Sequence, residues 1–302
     1  MSLVEGTNVM TKLGMTKEIF FSRGAARFKD LVYLSLVDKK LRKKNIAHTR
    51  LAGIDAGEIA NVNDLTWTAC GMCVVKHPVE KLVVVSGNGD VYTYVGGTHG
   101  AEKIPEPKDL RACSTIDGFA FACGMGREVY CREDDGKWSA MPAPKGDGKN
   151  VVGFEAIAGF NRRDLYAAGW QGEIWHYNGR KWTTIDSPVN VILTGVSCAE
   201  NGLVYICGQT GTLLCGRNDK WEIIETDGLI DDFWDIRWFN GQLYVASMTA
   251  LYELNGNSLV LVNFGADAPD SCYKLTAAEG VLWSIGQENI FSFDGKAWRQ
   301  WD

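Results

Sequence analysis

Apolar positions along this chain recur in short runs that alternate with polar ones, and each run ends in a turn built from Gly, Asn or Asp. A period of two bounded by such turns predicts strands and not helices. The runs also repeat. Asp164-Leu-Tyr-Ala-Ala-Gly-Trp-Gln-Gly-Glu-Ile-Trp-His-Tyr-Asn-Gly-Arg-Lys-Trp182 is followed by Leu203-Val-Tyr-Ile-Cys-Gly-Gln-Thr-Gly-Thr-Leu-Leu-Cys-Gly-Arg-Asn-Asp-Lys-Trp221. Copies begin at Leu82 and Phe119, with degenerate ones at Leu243 and Val281. The leading turn residue falls at Gly87, Gly124, Gly169, Gly208, Ser247 and Gly286, in steps of 37, 45, 39, 39 and 39 residues.

Each unit has one grammar. An apolar strand ends in a small residue and Gly, a short turn follows, and a β-branched or aromatic strand leads out. In four units Asp135-Gly136, Asn178-Gly179, Asn218-Asp219 or Asp294-Gly295 then precedes Trp138, Trp182, Trp221 or Trp298, which marks a hairpin because these turns need residues that tolerate positive φ. Upstream lies a further alternating strand, as in Leu110-Arg-Ala-Cys113, Phe154-Glu-Ala-Ile157, Trp234-Asp-Ile-Arg237 and Tyr273-Lys-Leu-Thr276. Four strands per unit of about 40 residues is the period of a β-propeller blade. The expected fold is all-β, a β-propeller of seven four-stranded blades; six blades with an N-terminal β extension is the alternative.

As a domain plan, residues 1–302 form one propeller, with 1–17 an extension or edge strand, 18–64 a divergent first blade and 65–302 six clear blades. Leu31-Val-Tyr-Leu-Ser-Leu-Val37 takes the second-strand position of the first blade, with Ser35 in place of the leading Gly. The step of 52 residues from Ser35 to Gly87 means that this blade is divergent or carries an insertion near residues 54–64. Ala297-Trp-Arg-Gln-Trp301 reads as the last blade's own outer strand, so strand exchange across the closure is not expected.

Composition narrows the class. Of 302 residues, 46% are apolar and 23% charged, enough for a core. A net charge of −6 argues against a general nucleic-acid binder. The N-terminus shows no signal-peptide pattern and no stretch approaches the roughly 20 apolar residues of a membrane helix. Nine cysteines, an odd number lying mostly in strand-like runs, read as reduced thiols of a cytoplasmic protein.

The pattern small-Gly-x-x-Gly-x-Ile-x-x-x-(Asn/Asp)-Gly-x-x-Trp resembles bacterial propellers of the sialidase-repeat and photosystem-assembly-factor types, over about residues 65–302. Asp294-Gly-Lys-Ala-Trp298 is similar to a degenerate Asp-box. In such families the box is structural, which implies that Trp138, Trp182, Trp221 and Trp298 serve packing. The resemblance speaks for fold; the superfamily spans hydrolases, lyases, assembly chaperones and binding scaffolds.

Chemistry is sparse. His48, His77, His99 and His176 are far apart, and Cys70-Gly-Met-Cys73 has no second pair at zinc-ribbon spacing, so no metal is expected. There is no Gly-x-Ser-x-Gly, and Gly87-Asn-Gly-Asp90 joins two strands instead of opening a helix. No cofactor is expected. The basic run Lys39-Lys-Leu-Arg-Lys-Lys44 reads as a solvated hairpin with Lys guarding an edge, the alternative being a docking patch for an acidic partner or RNA.

Aligning the units places Asp64, Asp109, Asp231, Asp232 and Asp270 just before inner strands. It places Thr68, Arg111, Glu155, Gly195, Asp235 and Lys274 at equivalent positions around the channel. Asp227-Gly-Leu-Ile-Asp-Asp-Phe-Trp-Asp235 adds two aromatics rimmed by acid, material for a protein interface. The expected partner contacts are Asp231, Asp232, Phe233, Trp234, Asp235, Arg111, Glu155 and Lys274, and the acidic loop suits a basic protein. The expected function is therefore a non-catalytic, cytosolic, protein-binding propeller, acting as an immunity protein against a toxin or as an assembly scaffold. The alternative is a glycoside hydrolase or lyase using the acids of the channel mouth.

Overall fold

The computed structural model describes residues 18–146, 148–265 and 268–301. The stretch read as an N-terminal extension, 1–17, lies outside them. Seven four-stranded antiparallel sheets follow one another along the chain, each with its strands in sequence order. They form blades 1 to 7, at residues 19–65, 69–103, 110–140, 154–185, 193–223, 233–261 and 274–300. Their inner strands are Ile19–Phe28, Ala69–Val75, Leu110–Ile116, Phe154–Asn161, Leu193–Cys198, Phe233–Phe239 and Lys274–Ala278. Each inner strand touches the next, and the seventh touches the first, so the ring is closed around an axial channel. The alternation of strand direction sorts the loops. Inner strands begin, and outer strands end, on one face, called the upper face below.

The pattern of the sequence follows from this geometry. Seven apolar clusters fill the seven seams between neighbouring blades. A second strand such as Leu82-Val-Val-Val-Ser86 is covered on both faces, so all five residues are buried and the run is nearly continuously apolar. The four turn tryptophans lie in or against these seams: Trp138 and Trp182 are buried, Trp221 sits beside Tyr166, and Trp298 stacks on Phe293. In the Asp-box-like turn, Asp294 Oδ1 accepts hydrogen bonds from the amides of Ala297 (2.9 Å) and Lys296 (2.8 Å), which hold its carboxyl below the usual range.

Blade 1 departs from the expectation in three details. Residues 54–64 lie in a hairpin of Thr49–Asp55 with Glu58–Leu65, which holds a single extra residue, Val62, at a bulge. Further extra residues are the basic run, a short helix α1 (Lys39–Lys43) between the second and third strands, and therefore not a strand-edge hairpin. Asp38 nucleates it by accepting from the amides of Lys40 and Leu41, while Lys39 meets Glu288 and Lys40 meets Glu18. The third difference is one of register. Phe21 pairs with Leu36 as Phe154 pairs with Gly169, so Leu36 and not Ser35 takes the place of the leading Gly.

The leading glycines are set by a close approach. A Cβ on Gly169 would lie 2.0 Å from the carbonyl oxygen of Gly153, and one on Gly286 2.0 Å from that of Ser271. In both cases the clash is with backbone of the loop entering the same blade, which has no rotamer to yield. Gly169→Ala is expected to destabilise the protein by about 1–3 kcal/mol, the usual range for overpacking, as measured by urea denaturation. An unchanged midpoint would contradict this.

Among the described residues there is no strand exchange at the closure: blade 7 contains its own outer strand, Trp298–Gln300, and blade 1 its own four strands. Side chains hold the seam. Trp283 and Ile285 of blade 7 pack with Phe21, Leu34 and Leu36 of blade 1, and Trp301 lies against the cluster. Gly24 leaves room for this, because a Cβ there would overlap Ile285 Cδ1 at 1.9 Å. Two hydrogen bonds add to it, from the amide of Ala26 to Thr276 Oγ1 (3.0 Å) and from the amide of Phe21 to the carbonyl of Gln287 (2.9 Å).

Candidate functional site

The axial channel has a cavity of about 630 Å³ lined by all seven inner strands. Its upper level is made by a repeated bulge. In blade 4 the pairing jumps from Phe154 to Ala156, in blade 5 from Leu193 to Gly195, and in blade 6 from Phe233 to Asp235. The skipped residues, Glu155, Thr194 and Trp234, line the channel, and Cys70 and Arg111 hold the same offset in blades 2 and 3. The sequence alignment placed Arg111 and Glu155 level with Gly195, Asp235 and Lys274. The bulge shows the latter three to be one residue further in, and the neighbours of Arg111 and Glu155 at the mouth are Thr194, Trp234 and Tyr273. Thr68 precedes the inner strand of blade 2 and is not among the channel-lining residues.

Charges at this level are held by protein partners. Arg111 lies 3.3 Å from Asp109 and 3.6 Å from Glu155. Glu155 accepts from Trp170 Nε1 at 2.7 Å. Asp235 is used twice, its Oδ1 accepting from the amide of Ile236 and its Oδ2 from the amide of Leu275 of blade 7, each at 2.9 Å. Lys274 donates to the Trp234 carbonyl at 2.7 Å and sits over the Tyr273 ring, which packs against Trp234 at 5.6 Å between centroids. Deeper in, Arg237 projects from blade 6; the surrounding wall pushes its guanidinium below the usual value, against the pull of Asp235.

The loop of blade 6 is divided by the same bulge. Phe233, one of the expected partner contacts, is fully buried in the seam between blades 5 and 6, in contact range of Tyr252. Trp234 is half-buried at the channel mouth. Asp231 and Asp232 stay on the upper face: the Asp231 carbonyl accepts from the Gly211 amide (2.8 Å), and Asp232 Oδ1 from the Thr210 amide (2.9 Å). Of the other acids expected there, Asp64 is paired with Arg50 in the outer hairpin of blade 1 at 2.9 Å, and Asp270 donates its amide to Asn289 Oδ1.

Sequence reasoning missed the residues that tie neighbouring blades by charge. Arg132 of blade 3 is wholly buried and meets Glu102 of blade 2 through Nε at 2.9 Å and through a terminal nitrogen; Glu102 also accepts from Trp138 Nε1 at 3.0 Å. No motif announces this pair, because its members are 30 residues apart in different units.

The thiols are free. Cys73 faces Cys113 of the next blade, Sγ to Sγ 3.5 Å, so its sulfur neighbour is not Cys70. Burial pushes the thiols of Cys70, Cys198 and Cys207 up to about 12 and those of Cys131 and Cys272 to about 11. A raised thiol pKa leaves little thiolate at pH 8. The native protein is therefore expected to react slowly with a thiol reagent at pH 8 and to yield nine thiols on denaturation. Rapid native labelling of most of the nine would contradict the burial. Among the described residues, no group of three or more His, Cys, Asp or Glu is placed to hold a metal ion.

Fold and channel together define a seven-bladed β-propeller, and solved structures agree at the level of fold. The WD40 β-propeller domain of Doa1 superimposes with a TM-score of 0.69 at 12% identity, covering 90% of this chain and 91% of that one. The structure of YCF48 bound to a D1 peptide gives a TM-score of 0.55 at 14% identity, covering 73% and 77%. The photosystem-assembly-factor resemblance is thus met as a likeness of fold. No protein-family model matches the chain. The immune protein Tsi7 of Pseudomonas aeruginosa is 44% identical over 293 residues, spanning 92% of this chain and 96% of Tsi7. The chain belongs to the family of that immune protein. Among the described residues no helix is long and apolar enough to cross a membrane.

Proposed function

We propose that this chain is an immunity protein that neutralises a partner toxin by binding it in the cytoplasm, with no bond made or broken. The observation that carries the reading is the 44% identity with the immune protein Tsi7 along nearly the whole of both chains. The channel supports binding over catalysis. Of Glu155, Asp231, Asp232 and Asp235, the acids that the hydrolase alternative would use, Glu155 is engaged by Trp170 and Arg111, Asp232 by the Thr210 amide and Asp235 by two backbone amides. The free thiols, seven of the nine buried, suit a reducing compartment. The assembly-scaffold alternative rests on likeness of fold alone. On the upper face Asp231, Asp232, Trp234, Arg111, Glu155 and Lys274 remain candidate contacts, Asp235 is committed to the blade 6–7 seam, and Phe233 drops out because it is buried.

Deletion of the gene tests the reading. Cells lacking the chain should be poisoned by a toxin that their siblings produce, and the chain supplied on a plasmid should restore growth. Unimpaired growth of the deletion strain beside toxin-producing siblings would count against it.

A further inference from the structure

Charge is distributed unevenly around the ring. Residues 221–273 hold nine carboxylates against one basic residue, Arg237, a balance of −8 in a chain whose total is −6. The remaining 249 residues are therefore net +2. The stretch covers the end of blade 5, all of blade 6 and the loops on either side. Arg237 and Asp235 both line the channel and Asp267 lies outside the described residues, which leaves seven carboxylates and no basic residue on the rest of this stretch.

The same sector exposes the most apolar surface. Seven large hydrophobic residues are exposed among those described: Ile46, Val79, Val151, Ile223, Ile230, Val260 and Leu261. The first three are scattered singly, on blade 1, between strands of blade 2 and before blade 4. The other four belong to blades 5 and 6. Ile223 and Leu261 end the outer strands Lys220–Ile223 and Ser258–Leu261, which both run to the upper face, and Ile230 stands on the loop between these blades. Ile230 is 82% exposed and Leu261 63% exposed. Singly scattered apolar side chains need no explanation, but a group on one sector does.

Ile230 is held outward by its own loop. Thr226 and Leu229 close a turn (Leu229 amide to Thr226 carbonyl, 3.0 Å), with Asp227 and Gly228 at positive φ of 52° and 79°. Leu229 packs into the blade 5–6 seam, and the Gly211 amide fixes the Asp231 carbonyl. The next residue along, Ile230, is left facing solvent, and Glu222, Glu225, Asp227 and Asp231 of the same stretch are exposed as well. An apolar centre on a fixed loop with a charged rim is the anatomy of a protein interface.

We infer that the upper end of blades 5 and 6, centred on Ile230, is the surface that receives the toxin, and that the toxin presents a basic surface with an apolar centre. This rests on the function proposed above and narrows it. The acidic rim repels nucleic acid, an anionic membrane surface and a second copy of the same sector, which leaves a cationic protein as the complementary occupant.

The test is calorimetric titration of purified chain with the toxin recovered from its own host. Ile230→Ala and Leu261→Ala together should weaken binding by about tenfold or more, as loss of hot-spot contacts does. Glu225→Lys with Asp231→Lys should weaken it further and flatten its dependence on salt. Lys40→Glu with Lys43→Glu, on α1, should leave affinity within about twofold, a change of only a few tenths of a kcal/mol. All variants should keep the wild-type melting temperature. Sector variants that stay folded and bind within twofold of wild type overturn the surface while leaving the immunity function standing. A wild-type chain that binds no toxin overturns both. Wild-type self-association abolished by Ile230→Asp also overturns it, because the occupant is then a second copy.

Discussion

Trp283→Ala is expected to cost about 3–5 kcal/mol of folding stability, the range found when a buried aromatic is truncated without collapse of the space it leaves. Trp283 is fully buried at the seam where blade 7 meets blade 1. Among the described residues no strand crosses that seam, and the contacts across it are side-chain packing and a few hydrogen bonds. Collapse is resisted on both sides, since the cavity would be walled by Ile285, Leu34 and Leu36, residues of paired strands, and capped by Trp301 at 5.2 Å. Trp283→Phe should lose much less. It keeps an aromatic ring, and the indole Nε1 is buried without a hydrogen-bond partner among the described residues, so removing it forfeits no bond. Urea denaturation followed by circular dichroism measures both. A loss below about 1 kcal/mol for the alanine variant would show that the closure does not depend on this residue.

Glu102→Ala should be comparably damaging, by about 3–5 kcal/mol, the cost typical of stranding one member of a buried ion pair. Burial works against the charge of Arg132, and the hydrogen bonds it donates to Glu102 and Asp135 overcome it, raising its pKa. Asp135 is half exposed and shared with Lys81 at 2.9 Å, so it cannot replace Glu102. Removal of Glu102 also leaves Trp138 Nε1 without its acceptor. The double variant Glu102→Leu with Arg132→Met removes both charges and should recover most of the loss, because a buried pair often does no better than apolar side chains of similar volume. Equal destabilisation of single and double variants would mean that the damage comes from packing and not from the orphaned charge.

Architecture was legible in the sequence wherever local chemistry repeats. Turns such as Asn178-Gly179 and the small-Gly endings of second strands need particular backbone geometry, and that need recurs in each unit, so the blade period stands out. Blade 1 hid its register because Leu36 fills the leading position and α1 lengthens the turn that follows. The side-chain directions at the channel were not legible either. A bulge inserts one residue into a strand of period two, so it sends Trp234 to the channel and Phe233 to the seam, and nothing in the aromatic-acid cluster marks where the bulge falls. The pairing of Arg132 with Glu102 depends on how adjacent blades face each other, which a repeat pattern does not encode. The acidity of residues 221–273 was visible as composition; that it coincides with exposed Ile230 and Leu261 required the fold.

Stoichiometry gives the most direct test of the central claim that this ring acts by occupying a toxin. Titrating toxin activity with purified chain should give a linear loss that ends at one chain per toxin, with both proteins recovered at unchanged mass. Loss of toxin activity at a small fraction of that ratio, or a toxin of altered mass after incubation, would show that the propeller turns over and that binding alone is not its mode of action.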